Sequence, residues 1–409
     1  MLGLAIHEIE AILVDEHLQV LEPELPGVFR DVLKDALAER IVEGRFVETR
    51  QIFLKLHALY HPLGHLLFPP IPRPAPNRDA RRRFQATRIV SSLSTLQYAG
   101  FEADSSWRGG DAVKIAISGS HGFIGSAVKA SLLGAGHQVT PIVREKGAVE
   151  NGIAWNAETS YVDAAKLEGI EAVVHLAGES IQGRWTPKKK ALIRESRTKG
   201  TRVLCETLAQ LGKAPRVLVC ASAIGYYGDR GDELLREESE PGGGFLPSVA
   251  REWEAATEPA AGKGIRVVNL RTGVVLGAGG GALAQMLPPF KMGMGGRVGS
   301  GRQYMSWIAL DDVVGAIEHA LVTESLQGPV NVVAPNPARN AEFTKTLGRV
   351  LSRPTIFPLP AFVVKLVFGE MGENLLLGSQ RVEPARLVAS GYAFRYPELE
   401  AALRRVAVG

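Results

Sequence analysis

A chain of 409 residues with 45% hydrophobic and 22% charged side chains is globular and too long for one ordinary core, so two or three domains are expected. Its formal net charge of +4 comes from interspersed positive and negative residues; apart from Arg81-Arg82-Arg83 and Lys188-Lys189-Lys190, nothing argues for a nucleic-acid partner. Cys205 and Cys220 are the only cysteines and neither has metal-ligand spacing around it, which disfavours a disulfide scaffold or cysteine zinc site and fits a cytoplasmic protein.

In chain order, the first twenty residues carry Glu8, Glu10, Asp15 and Glu16, which the apolar region of a secretory leader would not tolerate. No apolar run reaches membrane-spanning length. Up to about residue 68 apolar positions recur every three or four residues, as in Val28, Val32, Leu33, Leu37 and then Ile52, Leu56, Leu59, which reads as helical. His57, His61 and His65 fall at i, i+4, i+8, but Pro62 and Gly64 interrupt the helix a metal site would need, so no metal is expected. The Pro- and Arg-rich stretch Pro69 to Arg83 resists helix and sheet and marks a connector, and a short helical pattern, Phe84 to Tyr98, follows.

After Gly110 short β-branched runs alternate with helical patterns, the texture of βαβ units on a parallel sheet. Strands are expected at Val113–Ser118, Gln138–Val143, Glu171–Leu176, Arg216–Ala221 and Arg266–Leu270, with helices at Phe123–Leu133, Pro187–Leu211 and Leu246–Ala260. Beyond about Gly328 a smaller α+β cap with a helix at Leu359 to Phe368 is expected. The predicted fold is a Rossmann-like, doubly wound α/β domain over residues 111–328, with a small C-terminal cap over 329–409 and a separate, mainly helical region over 1–110.

The sharpest motif is Val113-Lys-Ile-Ala-Ile-Ser-Gly119-Ser-His-Gly122-Phe-Ile-Gly125: a strand running into three glycines at three-residue spacing and then a helix. Gly119 suits a tight turn, Gly122 lets backbone amides approach a pyrophosphate, and Gly125 lets helix and strand pack closely. The loop residues Ser120, Phe123 and Ile124 join these glycines as candidate cofactor contacts, because the helix N-terminus attracts the anion. Past the second strand comes Val143-Arg144-Glu145-Lys146, with a base where an NAD-specific site would hold an acid. Arg144, with Lys146 beside it, is assigned to a ribose 2′-phosphate, which selects NADP(H) over NAD(H); the competing reading is a solvated basic turn. The next strand ends His175-Leu176-Ala177-Gly178-Glu179, placing small residues where a cofactor must pass close to the sheet edge.

From Val113 to the C-terminus the chain resembles the extended short-chain dehydrogenase/reductases, in particular their atypical epimerase-like branch ending in a small domain of unknown function. The resemblance rests on the glycine loop, His175-Leu-Ala-Gly-Glu179, Arg184-Trp185-Thr186 with Ser196-Arg197, and Ser222-Ala-Ile-Gly-Tyr-Tyr-Gly228. It continues through Phe245-Leu246 with Trp253-Glu254, Arg271-Thr-Gly-Val-Val-Leu-Gly277, Gly299-Ser-Gly-Arg-Gln303, Ser306-Trp-Ile308 and Asn331-Val-Val-Ala-Pro335. It implies an NADP cofactor held by Gly119, Gly122, Gly125, Arg144, Leu176, Ala177 and Arg197, and a small-molecule substrate of unknown identity. For Arg197 a helix-surface salt bridge is the competing reading. Extended members also dimerise through paired helices, here Pro187–Leu211 and Leu246–Ala260.

The superfamily's usual Tyr and Lys, four residues apart, are missing: none of the eight tyrosines is followed by Lys at that spacing. With Glu254 aligned to the glutamate that ends the usual helical motif, Leu246 takes the Tyr position and Ala250 the Lys position, and Ala223 stands where a hydroxyl is expected. The candidate acid–base groups that remain are Ser222, Tyr226 and Tyr227 at the C-terminal end of a central strand; both tyrosines could equally be structural. Two functional readings therefore stand: an NADP(H)-dependent oxidoreductase or epimerase, and a catalytically silent NADP(H)-binding regulatory module. The Gly- and Met-rich segment Gly277 to Gln303, with Arg297 and Arg302, is either a lid whose arginines meet an anionic substrate or an ordinary long loop. Asp311 is expected as a helix N-cap.

Overall fold

A computed structural model describes residues 112–144 and 152–407. The expectations for residues 1–110 and for Lys146 lie outside the described residues.

The eight strands of the main sheet are β1 (Lys114–Ser118), β2 (Gln138–Arg144), β3 (Ile153–Asn156), β4 (Tyr161–Val162), β5 (Ala172–His175), β6 (Val217–Ala223), β7 (Arg266–Thr272) and β8 (Gly328–Val332). Their spatial order is β8-β7-β6-β5-β1-β2-β3-β4, and every pairing is parallel except β3 with β4 at the edge. The order reverses direction between β1 and β5, the kind of switch point beyond whose C-terminal strand ends ligands sit in doubly wound folds. The principal helices are α1 (Phe123–Gly134), α2 (Pro187–Gln210), α3 (Phe245–Ala255), α4 (Gly281–Lys291), α5 (Leu310–Val322), α6 (Asn340–Leu351), α7 (Ala361–Gly372) and α8 (Leu399–Ala407).

The near-continuous apolar runs of β1, β5 and β6 follow from burial on both faces. Alternate residues divide between two cores. Ile115, Ile117, Val174 and Val219 pack with Val128 and Leu132 of α1 and Val313 and Ile317 of α5. Ala116, Val173, Leu218 and Cys220 pack on the other face with Leu204, Cys205 and Leu208 of α2. Both thiols are buried, and burial pushes Cys205 up to about 12, which removes it from redox chemistry at ordinary pH.

Three sequence expectations need correction. The helix expected over Leu246–Ala260 ends at Ala255, and a short turn, Glu258–Gly262, follows it, because Pro259 can only begin a helix here, in its first turn. The segment Gly277 to Gln303, expected as a lid or an ordinary long loop, contains α4, which carries Pro288 and Pro289 inside it and buries Leu283, Leu287 and Phe290. The cap begins earlier than 329. The chain leaves the sheet after Thr272, pairs Val274–Gly277 with Trp307–Ala309, and returns only for β8, which pairs with β7. The cap core joins Leu276, Leu283, Phe290 and Trp307 to Phe343, Leu347, Leu399 and Leu403 from the C-terminal part.

Candidate functional site

The glycine loop is sterically closed to side chains. Gly119 takes a left-handed φ of +69°, and a Cβ there would lie 2.9 Å from the Leu176 carbonyl carbon. A Cβ on Gly125 would come within 2.1 Å of the Gly119 carbonyl oxygen. The loop, the start of α1 and the end of β5 are thus in contact with no space between them. Gly122 is the N-cap of α1 and offers no side-chain acceptor, so the first N–H groups of the helix are left for an incoming anion. Ser120 is buried in the loop, and Ile124 packs on the α1-side core. Phe123 turns toward the cap: Cβ atoms on Gly277, Gly280 or Gly281 would lie 2.5, 2.7 and 3.0 Å from its ring, so the second glycine run is shaped to fit it.

Ser118 and His175 hold the adjoining strand end. Ser118 Oγ accepts the Leu176 and Ala177 N–H groups at 3.1 and 3.2 Å and lies 2.8 Å from His175 Nδ1. Its single hydrogen therefore goes to Nδ1, and the imidazole proton sits on Nε2, which has no hydrogen-bond partner among the described residues. Complete burial lowers the His175 pKa to about 4. The ring meets Trp155 edge-on at 5.6 Å between centroids.

Arg144 ends β2 with an exposed side chain that has no hydrogen-bond partner among the described residues. Arg197 is held beneath the strand end by backbone carbonyls. Its Nη1 donates to the carbonyls of Glu179 (2.9 Å) and Ile193 (3.1 Å), and the guanidinium lies against Gly178, where a Cβ would be 3.4 Å from Cζ. Burial lowers its pKa to about 10, with Glu179 opposing. Arg197 thus braces the Gly178-Glu179 backbone from below. The Glu179 carboxylate takes the Lys189 ammonium at 2.7 Å, a hydrogen bond that lowers its pKa.

The three candidate acid–base groups separate. Ser222 is buried and its Oγ donates to Glu254 Oε1 at 2.7 Å. Tyr227 is wholly buried; its hydroxyl donates to Asn331 Oδ1 at 2.7 Å and accepts from Arg271 Nη1 at 3.0 Å. Burial pushes the Tyr227 phenol up to about 12, against the lowering influence of Arg271. Both hydroxyls are thus engaged in buried hydrogen bonds within the protein. Tyr226 is half-buried, and its hydroxyl makes no hydrogen bond among the described residues. The Arg271 guanidinium lies 3.4 Å from its ring centroid.

Sequence reasoning missed the group that organises this end of β6. Arg271 donates through Nε and Nη2 to both oxygens of Glu254, each at 2.8 Å, and through Nη1 to the Glu237 carbonyl at 3.0 Å. Burial disfavours its charge, but the Glu254 hydrogen bonds and charge outweigh burial and raise its pKa. Leu246 lies one turn before buried Ala250 on α3 and packs against Gly225, with 3.4 Å between its Cβ and a Cβ built there. The expected Tyr position is thus filled by an aliphatic side chain.

Asp311 does not cap α5. The N-cap is Ala309, without a side-chain hydrogen bond, while Asp312 is buried and accepts the N–H groups of Arg395 (2.7 Å) and Tyr396 (3.0 Å). Neither acid belongs to a metal cluster: among the described residues no three His, Cys, Asp or Glu side chains gather.

This sheet order and glycine-loop geometry define the Rossmann class. Residues 115–333 match the NAD dependent epimerase/dehydratase family, and residues 359–406 match a domain of unknown function, DUF1731. An epimerase family protein of Mycobacterium bovis is 44% identical over 290 residues, 71% of this chain and 96% of that protein. The crystal structure of human epimerase family protein SDR39U1 (isoform 2) with NADPH is 36% identical, covers 72% of this chain and 99% of its own, and superposes with a TM-score of 0.68. A nucleoside-diphosphate sugar epimerase from Corynebacterium glutamicum, also 36% identical, covers 78% of this chain and 62% of its own, with a TM-score of 0.60. The chain belongs to the NAD dependent epimerase/dehydratase family. Among the described residues no helix is long and apolar enough to cross a membrane.

Proposed function

We propose that this protein binds NADP(H) on the 119–125 loop and acts as an oxidoreductase or epimerase on a small molecule held between the C-terminal ends of the strands and the cap. The observation that carries the reading is the side-chain-free cradle of Gly119, Gly122 and Gly125 at an uncapped helix N-terminus, with the exposed Arg144 at the end of the next strand. The solved relative holding NADPH supports the same cofactor. When bound, the nicotinamide supplies or accepts a hydride. The protein's part is to orient it, through Phe123, Ile124 and the Leu176-Ala177-Gly178 backbone, and to move the accompanying proton. Tyr226 is the acid–base group in this reading, because its phenol alone of the three candidates is not already hydrogen-bonded within the protein. Titration with NADPH and NADH, followed by nicotinamide fluorescence, tests the cofactor assignment. Arg144→Ala should weaken NADPH about 10- to 100-fold, toward the NADH value, by removing a charge-assisted phosphate contact; equal binding of both cofactors by the unaltered protein would sink it.

A second reading is favoured by one feature. Leu246 and Ala250 stand where a Tyr and a Lys would act, which suits a cofactor-responsive module that does no chemistry. Hydride transfer into a panel of carbonyl substrates, abolished in Tyr226→Phe, decides for the enzyme; NADPH-dependent affinity for a partner without any turnover decides for the module. The outer faces of α2 and α3, with Leu192 exposed, suit a homodimer, and the two buried thiols suit a reducing cytoplasm.

A further inference from the structure

The cap displays an apolar and cationic surface that the proposed reaction does not use. Residues 291–299 leave α4 and run beside residues 353–359. Arg353 Nε donates to the Lys291 carbonyl at 2.8 Å, Phe357 N to Gly295 at 3.3 Å, Leu359 N to Arg297 at 2.8 Å, and Gly299 N to the Leu359 carbonyl at 2.8 Å. The two segments approach so closely that a Cβ on Gly296 would overlap the Phe357 carbonyl, at 1.8 Å. This backbone ribbon leads directly into α7.

Four large apolar side chains stand out to solvent on the ribbon and the first turn of α7: Met292 at 47% exposure, Met294 at 40%, Ile356 at 70% and Phe362 at 60%. Such side chains cost free energy in water, and their grouping on the paired segments and the adjoining first turn of α7 points to a surface that is covered in use. The charges in the same stretches have one sign. Residues 291–299 and 353–365 contain Lys291, Arg297, Arg353 and Lys365 and no Asp or Glu. Lys365 is paired to Glu373, while Lys291 and Arg297 make no ion pair among the described residues.

We propose that this ribbon and the start of α7 form a docking surface for an anionic phospholipid bilayer. Met292, Met294, Ile356 and Phe362 would enter the headgroup and acyl boundary while Lys291, Arg297 and Arg353 meet lipid phosphates. Charge complementarity selects this occupant. A bilayer of anionic lipids carries a uniform negative potential that such a one-signed rim answers. The surface lies on the cap, apart from the glycine loop, and it stands whether or not the cofactor reading holds.

Co-flotation of the full chain with vesicles of phosphatidylcholine alone and of phosphatidylcholine with phosphatidylglycerol tests the surface. Binding is expected only to the anionic vesicles and should fade as salt rises. Phe362→Asp and Ile356→Asp should each lower the bound fraction at least about tenfold, since each withdraws one large side chain from the interface. Lys291→Glu should lower it roughly fivefold or more by reversing a charge beside the lipid. All three positions are exposed, so folding is unaffected, and circular dichroism checks this. No binding to anionic vesicles, or binding that Phe362→Asp leaves unchanged, overturns the proposal. It is equally overturned if Phe362→Asp halves the particle mass in vesicle-free buffer, because the patch is then an interface between copies of this chain.

Discussion

At the scale of single residues, the site is built from side chains whose protons are already placed. His175 is the clearest case, since a neutral imidazole is needed to accept from Ser118, which in turn receives the Leu176 and Ala177 amides just past β5. Its pKa falls from 6.5 in the unfolded chain to about 4 in the native state because burial disfavours the cation. Between those values the unfolded chain binds a proton that the native state does not, so stability falls as pH falls through this window. Below about pH 4 both states are protonated and this contribution changes no further. The loss should approach about 3 kcal/mol across the window. Urea unfolding at pH 7 and pH 4.5 measures it, and His175→Asn should show a flatter profile over the same range; an identical slope in both proteins would falsify the assignment. Such a residue is only half readable in sequence. The strand ending in His175 is plain, but its partner, Ser118, is 57 residues away and identifiable only once β1 and β5 are known to be neighbours.

At the scale of elements, α3 is tied to β7 by the Glu254 and Arg271 pair, with side-chain exposures of 14% and 3%. A buried pair of this kind adds little net stability, but either partner left alone is costly. Arg271→Met should lose about 3–5 kcal/mol, because Glu254 keeps only Ser222 as a partner. The double variant Glu254→Leu, Arg271→Met should be less destabilised than the sum of the two single changes, as read by denaturant melts in a double-mutant cycle. Strict additivity would show that the two residues do not act as a pair. The same elements show what sequence can and cannot disclose. The strand-loop-helix from Val113 to Leu133 is legible because strand period, glycine spacing and helix period agree over twenty contiguous residues. α4 is hidden by Pro288 and Pro289, and β8 by its separation from the sheet behind the cap elements. The Arg271 network stayed invisible because its partners lie 17, 34 and 44 residues away, with Asn331 a further step through Tyr227, and no local pattern links them.

At the scale of the whole molecule, the C-terminal part matching DUF1731 is woven into the nucleotide-binding part and does not sit on it as a separate bead. Arg381–Val382 pairs with Leu234–Leu235 in parallel, the Asn331 side chain on β8 donates to the Glu383 carbonyl, and Ser306 Oγ donates to the Gln380 carbonyl. Asp312 is the tightest of these stitches. Its carboxylate, at the start of α5, accepts the amides of Arg395 and Tyr396, while the Tyr392 hydroxyl donates to the Asp312 carbonyl at 3.0 Å. α5 also packs with α1 against the main sheet. Loss of the Asp312 carboxylate therefore leaves two backbone N–H groups unsatisfied and loosens a helix of the central core. Asp312→Ala should cost about 2–4 kcal/mol, the range for stranding buried donors to a charged group. Because core and C-terminus share α5, the loss should appear as faster amide exchange in β1 as well as in residues 395–407. Hydrogen-exchange mass spectrometry separates the alternatives: acceleration confined to 385–407, with β1 unchanged, would mean that the C-terminal part opens independently and that the cap can move without disturbing the glycine loop.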